Sequence, residues 1–185
     1  MENAQRLSTI MNLWKGQDPS SFPSSYPTFA PHITLASFPS SSAIPAKQIR
    51  AAIPKLDEEI QVDFKSVEIG DHFFRSVYIA IAPSPALWAL HEQVHTNLGI
   101  EPRTPAYPHL SLCYIDDADA ALGEREKFYG ELLVRIKITG NARIGLDCEG
   151  IKKDWMEGFQ ATEIWVADCD GPVEGWQILD KISVV

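Results

Sequence analysis

One five-residue pattern occurs twice in this chain, and the repeat limits the possible folds more than any other feature. Proline, histidine, an aliphatic residue, a hydroxyl residue and leucine follow one another as PHITL at 31–35 and as PHLSL at 108–112. With 13 Pro and 5 His in 185 residues, a Pro-His pair alone should arise by chance about 0.35 times (13 × 5 / 185). Coincidence is therefore a poor explanation for the repeat.

Both copies have the alternation of a β-strand. His32 and Thr34 fall on one face of the first predicted strand, and the aliphatic residues fall on the other. His109 and Ser111 share a face of the second strand in the same way. Each half of the chain supplies a helix and then a loop that ends in the repeated pattern. Two similar lobes that face each other would bring the two strands together across a cleft, as one site.

Helical periodicity and helix-end signals predict four helical stretches. The clearest lies between Ser84, which suits the N-cap, and Gly99, which suits the stop, with Pro85 in the first turn. A chain of this composition, 45% apolar and 22% charged, is expected to bury a core. The helices are predicted at 3–15 (with Leu7, Ile10, Met11 and Trp14 on one face), 45–53, 84–99 and 118–133.

Alternating and β-prone runs predict a set of strands. IQVDFKSVEIG changes phase near Lys65 and Ser66, which indicates a bulge, and residues 73–82 form a predicted central strand. A hairpin around Gly70-Asp71 would join these two strands. Further strands are predicted near 134–139, 143–149, 161–169 and 176–184. The fold class is α+β and largely antiparallel, with one domain over residues 1–185 whose two lobes share a groove.

Charge and cysteine content exclude several classes of function. The net charge is −9, which has the wrong sign for stable binding to nucleic acid. No run of about 18 apolar residues indicates a membrane span, and the first residues lack the pattern of a secretion signal. The three cysteines are widely spaced, without a C-x-x-C pair. We expect a monomeric protein of the cytosol or nucleus, not secreted, whose partner is a small molecule.

Two histidines and two hydroxyls suit the chemistry of a phosphate ester. Histidine titrates near neutral pH, so one ring can act as a base while the other acts as an acid. Hydroxyl groups two residues further on can donate hydrogen bonds to anionic oxygens. A single histidine at a strand start usually has a structural role, but such a role would have to be found twice here. The pattern therefore predicts acid–base chemistry on a phosphate ester, and a cyclic phosphodiester could be opened in this way without a metal or another cofactor.

The motifs HITL and HLSL resemble the H-x-[TS]-x motifs of the 2H phosphoesterases, and among them those of the plant and fungal 2′,3′-cyclic-nucleotide 3′-phosphodiesterases. The segments FFRSVYIAIA, HLSLCY and TEIWVADCDG extend this resemblance over most of the chain from about residue 30. It implies a bilobal α+β fold with a central groove between antiparallel sheets. It also implies that 2′,3′-cyclic nucleotides are opened to 2′-phosphates, and that ADP-ribose 1″,2″-cyclic phosphate from tRNA splicing is a substrate.

Residue roles follow from the same resemblance. It implies that His32 and His109 are catalytic and that Thr34 and Ser111 bind the phosphate. By analogy His109 activates water and His32 is the acid, although the reverse assignment stays open.

The resemblance also assigns two aromatic residues. It implies that Tyr114 and Phe74 contact the base, while a core position is the alternative for each ring. One departure from the family is at the start, where a short strand of the type S-L-W-L is usual and this chain begins in a predicted helix.

Other functions remain as alternatives. HEQVH at 91–95 matches H-E-x-x-H, in which two histidines on one helix face bind zinc. The extended metalloprotease motif fails at Leu98 and Glu101, and the alternative for His91 and His95 is a solvated helix face. Further alternatives are a 2H enzyme acting on RNA ends or oligonucleotides, and a silent nucleotide-binding module.

Overall fold

The computed structural model describes residues 2–13, 24–42, 44–104 and 107–185. Two compact units can be distinguished, and each is discontinuous in sequence. The first unit comprises residues 1–33, 63–82 and 109–159, and the second comprises residues 34–62, 83–108 and 160–185. The units are therefore not the two halves of the chain that the repeated motif suggests. His32 and His109 both lie in the first unit.

A four-stranded sheet with the order β3-β2-β1-β6 lies mainly in the first unit. β1 (Ile60–His72) pairs antiparallel with β2 (Arg75–Ile81), and β2 pairs antiparallel with β3 (His109–Cys113). The fourth strand, β6 (Gly158–Ala161), is one that the sequence did not predict. Val77, Ile79 and Leu110 are fully buried on one face of this sheet. The predicted antiparallel α+β architecture is confirmed.

The turn between β1 and β2 does not lie where the sequence predicted it. The register shifts between Phe64 and Ser66, which confirms the predicted bulge. The strands, however, continue until His72 pairs with Arg75, so the turn lies at residues 73–74 and not at Gly70-Asp71. A Cβ on Gly70 would lie 1.9 Å from the carbonyl oxygen of Arg75. Gly70 is thus required by a close backbone approach within the paired strands.

Helices and a hairpin complete the first unit. α1 (Glu2–Met11) packs against β3, and it buries Leu7, Ile10 and Met11 as predicted, while Trp14 lies outside the described residues. The predicted helix 118–133 is divided by Gly123, which has φ = 87°. The resulting elements are α4 (Asp117–Ala120), α5 (Glu124–Leu133) and the hairpin of β4 (Ile136–Thr139) with β5 (Arg143–Leu146).

The second unit contains two helices and a two-stranded sheet. α2 (Ala46–Ala52) packs against α3 (Pro85–Leu98), and β7 (Glu163–Asp168) pairs with β8 (Gln177–Ser183). α3 has the predicted ends. The Ser84 side chain accepts a hydrogen bond from the Leu87 N–H, and Gly99 adopts the left-handed conformation. No helix in the described part of the chain has the length and apolar character needed to cross a membrane.

Candidate active site

The second motif occupies β3, whose alternation separates a buried face from a polar one. Leu110 and Leu112 are fully buried. His109 lies opposite Ala80 in β2, and Ser111 lies opposite Tyr78. Since residues directly opposite in an antiparallel pair project to the same side, His109 and Ser111 share a face with Tyr78. The predicted common face of the second motif is confirmed.

The first motif contacts the second through a single backbone bridge. Ile33 forms an isolated antiparallel bridge with Leu110, and this is the whole of the predicted strand, because residues 34–39 adopt no strand. The prediction of a strand over HITLASF was therefore wrong in extent. In antiparallel register the residue before Ile33 faces the residue after Leu110. His32 is thus placed opposite Ser111 within the first unit.

His32 is held in one tautomer by the backbone. Its Nδ1 lies 2.7 Å from the carbonyl oxygen of Ala30, and because a carbonyl only accepts, Nδ1–H is the donor. The neutral ring then carries its lone pair on Nε2. Burial lowers the pKa of His32, and the bond to Ala30 opposes this only in part. The ring is consequently neutral near pH 7 in the free protein.

Thr34 begins the second unit and is half-buried. The shared strand face that the alternation predicted for His32 and Thr34 does not form, because no strand continues beyond Ile33. A phosphate-binding role for Thr34 stays a prediction.

The hydroxyl of Ser111 is engaged with the turn between β1 and β2. Its Oγ donates to the carbonyl oxygen of Phe74 at 2.7 Å. Phe74 itself is 46% exposed, so it has surface available to a ligand. Ser76, fully buried, fixes the same turn, because its hydroxyl lies 2.9 Å from the Phe73 carbonyl and accepts from Ile115 N–H. The turn that carries Phe74 is thus tied to the strand that carries Ser111.

Tyr114 is buried, and this corrects the expectation of a ring exposed to the base. Only 2% of Tyr114 is exposed, and Phe29 stacks on its face with centroids 3.9 Å apart and planes 4° apart. Of the two roles predicted for Tyr114, base contact and a core position, the structure shows the core position. Phe29 also contacts His32 edge to face at 5.9 Å. No sequence signal marks Phe29, which lies in a proline-rich loop without periodicity.

Next to His109 lies Tyr78, which forms with Glu68 a hydrogen-bonded pair that was not predicted from the sequence. The rings of Tyr78 and His109 meet edge to face with centroids 5.4 Å apart. Tyr78 donates its hydroxyl to Glu68 at 2.8 Å, and Ser66 donates to the other oxygen of Glu68 at 2.7 Å. Burial, and next the bond to Glu68, raise the pKa of Tyr78 to about 12. The alternation of β1 and β2 beyond the predicted bulge could have indicated that these polar residues share a face.

The histidines of HEQVH belong to the second unit and are neither solvated nor part of a cluster of metal ligands. His91 and His95 are 5% and 3% exposed, and their ring centroids lie 4.2 Å apart. Tyr107 packs on His91 at 4.1 Å. Among the described residues, no group of three His, Cys, Asp or Glu side chains could hold a metal ion. The expected solvated face for these histidines was wrong, and the zinc alternative has no third ligand in this part of the chain.

Comparison with known proteins identifies the family. The model of the cyclic phosphodiesterase-like proteins matches residues 4–184. The 2′,3′-cyclic-nucleotide 3′-phosphodiesterase of Kluyveromyces lactis is 26% identical over 186 residues, covering 88% of this chain and 85% of its own. The enzyme of the same name from Yarrowia lipolytica is 23% identical over 188 residues, covering 82% of each chain. These matches confirm the resemblance seen in the two motifs: the chain belongs to the cyclic phosphodiesterase-like protein family.

Proposed function

We propose that this protein hydrolyses 2′,3′-cyclic nucleotides to nucleoside 2′-phosphates. The observation that carries the proposal is the bridge between Ile33 and Leu110, the residues that directly follow His32 and His109, within the first unit. His32 and His109 are thereby assigned to two adjacent backbone segments. The family match and the two relatives with this printed activity support the substrate class.

The reaction needs one base and one acid. Water attacks the phosphorus while a histidine takes its proton, the P–O3′ bond breaks, and the second histidine protonates the departing O3′. A neutral His32 with its lone pair on Nε2 suits the base, which leaves the acid to His109. This assignment is the reverse of the one that the family analogy suggested. Each proton transfer can contribute a factor of roughly 10² to 10⁴.

Ser111 and Thr34 are the proposed donors to the non-bridging oxygens. Ser111 has a single proton, and in the free protein it is directed to the Phe74 carbonyl. A bound phosphate would compete for that proton, and a donor aimed at developing negative charge is worth about 10² to 10³ in rate. Phe74, the exposed aromatic ring on the same turn, is the proposed contact for the base, at roughly 1–3 kcal/mol per stacked ring.

We extend the proposal to ADP-ribose 1″,2″-cyclic phosphate, which contains the same five-membered cyclic ester, and to a role after tRNA splicing. The net charge of −9 favours a nucleotide-sized substrate over a long RNA.

The first test is hydrolysis of 2′,3′-cyclic AMP in excess EDTA, with 2′-AMP and 3′-AMP separated by chromatography. We expect 2′-AMP from the wild type and a loss of at least about 10²-fold in His32→Ala and His109→Ala, since each removes a proton-transfer group. Circular dichroism establishes that both variants are folded, and added imidazole should restore part of the rate.

Formation of 3′-AMP, or full activity in either variant, would contradict the proposal. Absence of turnover in the wild type would favour an RNA-end substrate or a silent binding module. Activity that required zinc would return attention to His91 and His95.

A further inference from the structure

We propose that Glu68 and Tyr78 are positioning residues that keep the His109 imidazole oriented and protonated for its role as the acid. The inference rests on the proposed function, because it gives a reason why His109 and not His32 should donate the proton. Nothing in the two histidine motifs points to either residue. Their contacts lie entirely within the first unit.

The contacts form a continuous line across three strands. Ser66 and Glu68 are on β1, Tyr78 is on β2 and His109 is on β3. Glu68 lies directly opposite Tyr78 in the first strand pair, so both side chains project to the same face. Each oxygen of the Glu68 carboxylate accepts from one hydroxyl, at 2.7 Å from Ser66 and 2.8 Å from Tyr78. The carboxylate thereby fixes the position of the phenol.

The phenol in turn contacts the imidazole. The ring planes of Tyr78 and His109 are inclined by 70° with centroids 5.4 Å apart, a favoured edge-to-face geometry. Tyr78 is only 7% exposed, so the contact is largely withdrawn from water. An aromatic ring attracts a cation that approaches its face, and the attraction grows when water is excluded. The guanidinium of Arg75, which is paired with Asp71, also lies over the Tyr78 ring, 5.8 Å from its centroid. A phenol that donates to a carboxylate becomes more electron-rich, which strengthens its attraction for an imidazolium.

The charge of Glu68 adds to this effect over a longer distance. Hydrogen bonds from Ser66 and Tyr78 are the largest causes that hold the pKa of Glu68 below its usual range, so the carboxylate stays ionised through neutral pH. The Nδ1–H of His32 donates instead to the backbone carbonyl of Ala30. The two histidines consequently differ in environment, one next to a polar hydrogen-bonded pair and the other neutralised by burial.

The test is a proton NMR titration of the His109 ring in wild type, Tyr78→Phe and Glu68→Gln, with the signal assigned by its loss in His109→Ala. Tyr26→Phe is the matched control, because Tyr26 also donates to a buried glutamate, Glu124 at 3.2 Å, in the same unit. We expect the His109 pKa to fall in both test variants and to be unchanged in the control. This readout needs no turnover, so it is informative even if the proposed activity is absent.

Kinetics supply the second readout. In Tyr78→Phe and Glu68→Gln we expect kcat for cyclic nucleotide hydrolysis to fall roughly tenfold, at the lower end of what loss of a supporting partner of a functional histidine costs. KM should stay within about twofold, and the double variant should lose no more than the worse single variant, because both act through one contact. An unchanged His109 titration, or a titration and kcat that change equally in Tyr26→Phe, would overturn the proposal.

Discussion

At the scale of single residues, the two motif histidines have the same sequence context but different surroundings. His32 donates through Nδ1 to Ala30 and is neutralised by burial, whereas His109 contacts Tyr78, which donates a hydrogen bond to a glutamate. Sequence alternation correctly predicted the common face of His109 and Ser111, because a paired strand has a fixed period of two. It could not predict the different environments, which depend on partners remote in sequence.

The assignment of acid and base can be tested with a better leaving group. A phosphodiester that releases 4-nitrophenolate needs little protonation of the leaving oxygen, so loss of the acid costs less than with a ribose oxygen. We expect His109→Ala to recover at least about tenfold of its loss on such a substrate, and His32→Ala to stay inactive, as judged by release of nitrophenolate. Selective recovery of His32→Ala would instead support the assignment implied by family analogy.

At the scale of elements, local sequence signals were sufficient to predict both ends of α3. Its N-cap and its left-handed C-terminal glycine are those predicted from Ser84 and Gly99, because both ends are determined by residues within one helical turn. HITLASF has equally strong β-character, yet it forms a single bridge at Ile33. A strand requires a partner over its whole length, and that requirement cannot be deduced from one segment. The same reason explains why β6 was missed.

The helix cap gives a direct prediction of stability. Ser84→Ala removes the acceptor for the Leu87 N–H, which lies 3.2 Å from Ser84 Oγ. We expect the free energy of unfolding to fall by about 1 kcal/mol, within a range of about 0.5–2, measured by urea denaturation. Ser84→Asp should retain most of the stability, since aspartate is also a good N-cap. Equal losses in the two variants would contradict a capping role.

At the scale of the whole molecule, the α+β class and antiparallel pairing were predictable, but the partition of the chain was not. The repeat suggested one motif for each lobe, whereas both histidines belong to the first unit, which draws on three separate stretches of sequence. A local pattern defines the face of a strand and carries no information about which distant stretches it joins. The burial of Tyr114 under Phe29 could not be predicted for the same reason, because the two rings come from stretches that are distant in sequence.

Buried histidines also make the whole protein sensitive to acid. Burial lowers the pKa of His32 and, together with the charge of His95, that of His91. Both are neutral in either state well above pH 6.5, so they contribute nothing to pH dependence there. Below that value the unfolded chain takes up protons that the folded protein does not, and stability falls by up to about 1.4 kcal/mol per pH unit for each histidine.

Thermal unfolding between about pH 7.5 and 5.5 measures this effect. We expect Tm to fall across that interval in the wild type and to fall less in His91→Phe, which removes one titrating ring and retains an aromatic contact for Tyr107. The comparison concerns the pH slope, so a constant difference in Tm from altered packing does not affect it. Parallel curves for the two proteins would show that His91 does not contribute.

The bulge in β1 determines which residues in the second half of the strand point into the core. Before it, the even-numbered positions Val62 and Phe64 point into the core and are fully buried; after it, the odd-numbered Val67 is buried and Glu68 emerges on the polar side. Lys65 is the extra residue of the bulge, so a regular pairing that included it would put the distal half of the strand out of phase. A carboxylate would then turn inward and a valine outward, although the sequence would be unchanged.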